Sequence, residues 1–168
     1  MPTRDALATD AVLSLASFTS ESLMVPSLVE RDPAGIIAEL SQILQRDCCI
    51  PDLLPFYNAV VNREFLTSTA VERSMAFPHA RMGGIKQLAF AVGKTAEPIA
   101  WGRTGSAPVQ LVFLIAIPAT ESTHYLHLIS GLARLSNETP LLTEIIRAKE
   151  PREMFESLKR IKLRLGRS

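Results

Sequence analysis

Apolar residues recur along this chain in two rhythms, and the change from one to the other marks the layers of the fold. Ile36, Ile37, Leu40, Ile43 and Leu44 fall at helical spacing and define one apolar face. Asp32 and Pro33 stand just ahead of them, an N-cap acid and a first-turn proline that predict where this helix starts. Leu53, Phe56, Tyr57, Val60 and Val61 repeat the rhythm, so a second helix is predicted to begin at Asp52. Arg63 falls near its end, where a cation complements the helix dipole. Residues 87–93 and 109–117 are short, nearly continuous apolar runs and predict strands. The second run is apolar at both parities and closed by Pro118, the pattern of a strand buried on both faces, which needs helices on both sides of its sheet.

Three helices are predicted after it. Residues 121–136 place Tyr125, Leu128, Ile129, Leu132 and Leu135 inward; Thr139-Pro140 opens the next, with Leu141, Leu142, Ile145 and Ile146 apolar; and Glu150-Pro151 opens the last, with Met154, Phe155, Leu158, Ile161 and Leu165 as its inner stripe. Upstream, Leu13, Leu15, Phe18, Leu23 and Val25 alternate weakly, predicting a first strand or strand pair after a short helical turn. Residues 1–12 have no period and read as a loosely ordered extension of a single domain over 13–168. Pro98, Gly102 and Gly105 predict a loop or hairpin over 95–106, with Trp101 as a partly exposed packing residue. Strand, two helices, three strands and three helices make an α/β fold, a three-layer α/β/α sandwich with a mixed β-sheet.

Composition narrows the partners rather than the fold. The 168 residues are 47% hydrophobic and 21% charged with a formal net charge of +1, so neither nucleic acid nor an anionic membrane is expected. The longest apolar run, 111–118, falls short of the ~18 residues of a membrane span. The first residues lack the basic start and apolar core of a secretory signal, and a cytoplasmic protein is expected. Cys48 and Cys49 are adjacent, a spacing that strains a disulfide, and read as reduced thiols at a helix end or loop. His124 and His127 share a helix face, but no further ligand stands at metal spacing, so neither a metal nor another cofactor is expected. The basic run 159–167 reads as a solvated helix face or as a contact for an acidic partner.

The chemistry concentrates in residues 67–81. An imidazole titrates near pH 6.5 and is a competent nucleophile at neutral pH. His79 follows Pro78, which biases Phe77 toward extended backbone, so the run from Ser74 reads as a short strand ending where the histidine emerges. Thr67, Ser68, Thr69 and Ser74 supply hydroxyl donors, and Arg63, Arg73 and Arg81 supply cations. Such donors suit a group carrying roughly two negative charges, and a transferring phosphoryl is stabilised by this kind of array.

The stretch from Arg63-Glu-Phe-Leu-Thr-Ser-Thr69 to Phe77-Pro-His-Ala-Arg81 resembles the active-site signature of the IIA components of the phosphoenolpyruvate-dependent sugar phosphotransferase system, fructose/mannitol class, which includes the nitrogen-regulatory IIA proteins. The resemblance extends over nearly the whole chain beyond residue 15. It implies that His79 is the phosphorylated residue and that Arg63 is the active-site arginine; of the hydroxyl donors and cations around them, Thr69, Ser74 and Arg81 are expected to bind the phosphoryl group. It also implies the small carrier HPr, or its nitrogen-branch equivalent, as donor, and a IIB component or a regulated target protein as the next partner.

Two departures from the family pattern stand out. Ala70-Val-Glu-Arg-Ser74 replaces the family's Gly-Ile-Gly-Asn-Gly, so the approach to the phosphate site is predicted to be stiffer and more crowded; an inward Glu72 would repel a phosphoryl group and an inward Arg73 would attract one, and the sequence leaves open which faces the site. The family's second active-site histidine falls on Tyr125 in a gapless register and on His124 after a shift of one residue. Tyr125 would donate a hydrogen bond without bringing a positive charge. The expected function is a phosphocarrier of the nitrogen-regulatory type. The alternative is a binding module that keeps the fold with impaired transfer. A hydrolase using His79 as base with Ser68 or Ser74 as nucleophile is the weakest reading, since no oriented carboxylate or nucleophile elbow accompanies them.

Overall fold

A central strand buried on both faces organises the sheet, as the apolar run around 109–117 predicts. The computed structural model describes residues 13–71, 73–102 and 107–163. Strands β1 (Met24–Val25), β2 (Ala70–Val71), β3 (Met75–Ala76), β4 (His79–Met82), β5 (Ala89–Trp101) and β6 (Ala107–Pro118) form one mixed sheet. Its order is β1-β5-β6-β3-β2, with β4 also paired to β6. β5 and β2 run antiparallel to their neighbours β6 and β3, whereas β1 on β5 and both β3 and β4 on β6 are parallel. Val109 and residues 111–117 are all buried.

Helices α1 (Pro33–Arg46), α2 (Leu53–Leu66), α3 (Thr123–Asn137), α4 (Thr139–Arg147) and α5 (Pro151–Leu158) complete a three-layer α/β/α sandwich. Neighbouring β5 residues point to opposite faces: Gly93 lies against Leu28, ahead of α1, while Lys94 reaches the carbonyls of Ile146 and Ala148 at the end of α4. A Cβ on Gly93 would come within 2.6 Å of Leu28 Cδ2, so close packing there requires glycine. The start of α1 is as its sequence predicts: Asp32 Oδ1 accepts the Gly35 amide at 2.8 Å and Pro33 opens the first turn. α1 ends with Cys48 at φ 59°, its amide on Gln45 O and that of Cys49 on Leu44 O, the paired bonds of a helix-end motif that usually has glycine in this conformation.

The structure departs from the sequence expectations at several points. Residues 13–25 form two 3₁₀ turns, Leu15–Phe18 and Glu21–Leu23, followed by the short β1. The Ser14 amide bonds Ser17 Oγ, and such local serine bonds compete with extended pairing. Five strands, not three, lie between α2 and α3. Of the loop or hairpin predicted over 95–106, the hairpin is found: β5 runs on through Thr95 to Trp101, which pairs with Ala107 of β6, and Pro98 is accommodated where the β5–β6 register shifts between Lys94 and Ile99. Trp101 is 1% exposed rather than partly exposed. α5 stops at Leu158, with Ile161 buried beyond it, so residues 159–163 of the basic run do not continue the helix face. Leu165, Arg167, Gly105, Glu72 and the expected extension 1–12 lie outside the described residues. Among the described residues no helix is long and apolar enough to cross a membrane.

The β2–β3 hairpin pairs Ala70 with Ala76 and Val71 with Met75. Arg73 and Ser74 in its turn have φ of 74° and 62°, a left-handed conformation that costs a non-glycine residue about 1–2 kcal/mol. After allowing for the greater unfolded-state freedom of glycine, about 0.5–1 kcal/mol, Ser74→Gly is expected to stabilise the protein by roughly 0.5–1 kcal/mol, read as a higher urea midpoint at unchanged slope. The two cysteines are expected to separate just as clearly. Cys48 is exposed, whereas burial, reinforced by Asp47 and Cys48, pushes the Cys49 thiol up to about 11. Iodoacetamide at pH 8 should modify Cys48 and spare Cys49 until the protein is unfolded. Because unfolded Cys49 ionises near 9 and folded Cys49 only near 11, its contribution to stability is lost as pH rises through that window, and Cys49→Ala should flatten the decline.

Candidate active site

His79 sits where one strand is broken in two. β3 and β4 both run parallel to β6, Met75 opposite Leu111 and His79 opposite Ile115, so the register is the same on either side of the gap at Phe77-Pro78. Pro78 has no amide to give the ladder, while its carbonyl still accepts from Ile115 N at 2.9 Å. His79 is thus the first residue of a new strand rather than a residue just past the end of one. Phe77 turns its backbone groups away from β6, as alternation in a parallel strand requires. Its amide donates to Thr69 Oγ1 at 3.0 Å, and its carbonyl lies 2.9 Å from His79 Nδ1. A carbonyl can only accept, so Nδ1 carries the proton and Nε2 of the neutral ring carries the free lone pair.

Around the imidazole lies an open cleft of about 310 Å³. Ala59 and Arg63 come from α2, His79, Ala80 and Arg81 from β4, Ile117 from β6 and Tyr125 from the first turn of α3. α2 packs on β4, which brings the Arg63 turn beside the histidine. Arg63 Nη1 donates to Thr67 O at 3.2 Å. Arg81 Nη1 donates to Pro118 O at 3.3 Å and to Glu121 O, and its guanidinium carbon stands 5.6 Å from the centre of the Tyr125 ring. The Tyr125 and His79 ring centres are 6.3 Å apart. Burial raises the Tyr125 pKa above its ordinary 10, against the opposing pull of Arg81 and Arg63. The phenol therefore remains a hydrogen-bond donor at neutral pH.

Not every residue singled out in the sequence reaches this cleft. His124 faces elsewhere: its Nδ1 is 3.5 Å from Glu121 Oε1, its amide donates to the same oxygen at 2.9 Å, and its ring is 5.8 Å from that of Phe18. Between the two positions open for the second histidine, the cleft receives Tyr125. Thr69 lies behind Phe77 with its hydroxyl 3.0 and 2.9 Å from the two oxygens of Glu64. Ser74 lies in the β2–β3 turn, with its carbonyl accepting from Gln110 N and Leu111 N. Among the described residues no three His, Cys, Asp or Glu side chains are grouped to hold a metal ion.

Glu64 is the residue the sequence reading missed. It is 7% exposed and accepts from Thr69 N at 2.7 Å and Trp101 Nε1 at 2.6 Å. The signal was its spacing: it follows Phe56 and Val60 at four-residue steps on the buried face of α2, where a carboxylate is out of place unless satisfied.

Comparison with known proteins bears on the family of the whole chain. The family described as "Phosphoenolpyruvate-dependent sugar phosphotransferase system, EIIA 2" matches residues 18–161. The chain is 32% identical over 152 residues to the PTS system 2-O-alpha-mannosyl-D-glycerate-specific EIIABC component of Escherichia coli K12, covering 89% of this chain and 21% of that protein. It is 23% identical to a nitrogen regulatory protein of Bradyrhizobium diazoefficiens, covering 94% of this chain and 95% of that one. In fold it is similar to the nitrogen regulatory protein IIA-Ntr of Neisseria meningitidis, with a TM-score of 0.72 at 21% identity over 86% of this chain and 98% of that one.

The phenol offers a direct check on the cleft. In a spectrophotometric titration, the tyrosinate step of Tyr125, raised above pH 10, should be absent from Tyr125→Phe, which retains one tyrosine. Because folded Tyr125 holds its proton through a range where the unfolded chain releases it, its contribution to stability is lost as pH rises through that range, and the variant should lose less.

Proposed function

Because the chain belongs to the EIIA 2 family of the phosphoenolpyruvate-dependent sugar phosphotransferase system, we propose that it is a phosphocarrier that accepts a phosphoryl group on His79 Nε2. The observation that carries this reading is the bond between His79 Nδ1 and the Phe77 carbonyl, which leaves Nε2 as the nucleophilic nitrogen in a cleft with Arg63, Arg81 and Tyr125. The Nε2 lone pair attacks phosphorus of a phosphohistidine on a carrier of the HPr type. As the new N–P bond forms, the donor's N–P bond breaks and its electron pair returns to the donor imidazole. The three phosphoryl oxygens travel with the phosphorus. His79 becomes a phosphorylated imidazolium whose Nδ1–H remains on the Phe77 carbonyl, and reversal of the step delivers the group to an acceptor.

The flanking residues divide the electrostatic work. Arg63 and Arg81 bring positive charge to the phosphoryl oxygens, and the Tyr125 hydroxyl adds a neutral donor. Ser74 and Thr69 remain the candidate hydroxyl contacts from the sequence, Ser74 from the turn and Thr69 only if its bond to Glu64 is given up. The alignment with a nitrogen regulatory protein along nearly all of its length supports a regulatory version, acting in the cytoplasm, in which the charge state of His79 governs binding to a target protein. Transfer to a IIB cysteine is the transport version, and the chain spans only about a fifth of the EIIABC relative in which IIA is joined to further components.

A second reading follows from Tyr125 standing in the cleft in place of a histidine. With only a neutral donor there, the protein would bind partners through this face while exchanging phosphoryl groups slowly. Incubation with phosphoenolpyruvate, enzyme I and phosphocarrier proteins of both the sugar and nitrogen branches, followed by intact-mass analysis, separates the two. An acid-labile phosphoryl group on the native protein, absent from a folded His79→Ala variant, is the expected result. No label on the folded native protein with either carrier would overturn the phosphocarrier reading, and a label retained in His79→Ala would move the site.

A further inference from the structure

Glu64 poses an energetic question that the cleft residues do not answer. A leucine at this position would complete the apolar face set by Phe56 and Val60, whereas a buried carboxylate carries a desolvation cost of several kcal/mol. Among the described residues its oxygens form no ion pair; they are satisfied by the Thr69 amide, the Thr69 hydroxyl and the Trp101 indole. All of these are donors, which suits a carboxylate that only accepts.

The Thr69 hydroxyl is where this cluster meets the site. It has one proton and two lone pairs. Glu64 takes the proton, leaving the oxygen to accept the Phe77 amide at 3.0 Å. The Phe77 carbonyl in turn accepts from His79 Nδ1 at 2.9 Å. Four hydrogen-bonded steps therefore run from the Trp101 indole through Glu64, Thr69 and Phe77 to the imidazole. At Phe77 no strand partner is present: β2 pairs with β3 at Ala76 and ends at Ala70, so the Thr69 side chain occupies the place a backbone acceptor would have had.

We propose that Glu64, acting through Thr69 and the backbone of Phe77, is a positioning residue that holds the neutral His79 imidazole in its Nδ1–H tautomer and so keeps Nε2 free to react. The proposal deepens the phosphocarrier reading and rests on it for its kinetic consequence, but the tautomer is a property of the unphosphorylated protein. It also gives Thr69 a function other than direct contact with the phosphoryl group. With the hydroxyl proton committed to Glu64, Thr69 orients Phe77 instead.

The test measures both properties on the full chain. Imidazole ¹⁵N shifts of His79, taken above its titration midpoint, report the tautomer in the native protein, Glu64→Gln, Thr69→Val and Thr69→Ser. Transfer from phosphorylated HPr, or from the nitrogen-branch carrier if only that one labels the native protein, reports kcat and KM. Native protein and Thr69→Ser are expected to show the Nδ1–H form. Glu64→Gln and Thr69→Val should gain the Nε2–H form and lose about ten- to a hundredfold in kcat, the scale of a misplaced reacting group, with KM little changed.

An Nδ1–H tautomer that persists in both Glu64→Gln and Thr69→Val would overturn the proposal even if transfer fell, because a rate loss without a tautomer change is a packing effect. An Nε2–H tautomer in the native protein would overturn it outright. Tautomer shifts in the variants of a native protein that takes no label would uphold the positioning role and refute the phosphocarrier reading. Should Glu64→Gln fail to melt cooperatively, the Thr69→Val and Thr69→Ser pair decides alone, since the two differ in the hydroxyl that forms the link.

Discussion

The interior edge of β6 must find partners along its whole length, and the strand that supplies them on one side is interrupted. Backbone polar groups that are neither paired nor hydrated cost too much to leave buried, so an interruption survives only if each orphaned group is answered. Pro78 removes a donor from the ladder while its carbonyl stays on Ile115. Phe77, facing the other way, finds Thr69 Oγ1 for its amide and His79 Nδ1 for its carbonyl. The accounting closes only because a threonine side chain and the imidazole itself complete it. His79 is thus built into the sheet's hydrogen bonding, and the ring orientation that frees Nε2 follows from the same requirement that holds the sheet edge together.

The cleft on the far side of that ring carries charge in an ordered rather than a dense form. Arg81 is anchored by the carbonyls that precede α3, those of Pro118 and Glu121, so its guanidinium is fixed between β4 and the first turn bearing Tyr125. Glu121 meanwhile accepts the His124 amide and lies beside the His124 ring, keeping that imidazole on the Phe18 side of the helix. One short turn therefore sorts the two neighbouring aromatic side chains, sending the phenol into the cleft and the imidazole away from it. The consequence is a cleft whose positive charge, among the described residues, comes from Arg63 and Arg81, with the neutral phenol of Tyr125 beside them.

Much of this was legible from local pattern. The caps of α1, the apolar stripes of α1 to α4, the double-sided burial of β6 and the meeting of His79, Arg63 and Arg81 in one cleft all follow from spacing or from the motif. What escaped was non-local. Residues 95–101 carry a proline and read as a loop or a hairpin; the long partner that β6 offers decides for the hairpin, and the register shift absorbs the irregularity. Trp101 read as half-exposed because its burial depends on a helix far away in sequence, whose Glu64 takes its indole proton. The choice between His124 and Tyr125 turned on which side of one helical turn faces the sheet, which depends on the Glu121 contacts rather than on the identity of either residue.

Glu64 was written in the sequence in plain sight, next to the arginine that drew attention, and was passed over because a charge at a helix end normally faces solvent. The two other buried charged residues among those described have local structural employment: Lys94 closes the carbonyl end of α4, and Glu121 satisfies an amide at the start of α3. Glu64 also ties a loop to a strand, but an apolar residue with a shorter loop could do that without the cost of a buried charge. Its distinguishing property is where its hydrogen bonds lead. An ionised carboxylate accepts without donating, and at the head of this chain it commits the Thr69 hydroxyl proton and leaves that oxygen to accept the Phe77 amide. An amide in its place could present an N–H to Thr69 and reverse the first bond. What the buried charge contributes to the ring at the other end is placement: with Thr69 Oγ1 held as an acceptor for the Phe77 amide, the Phe77 carbonyl stays on His79 Nδ1.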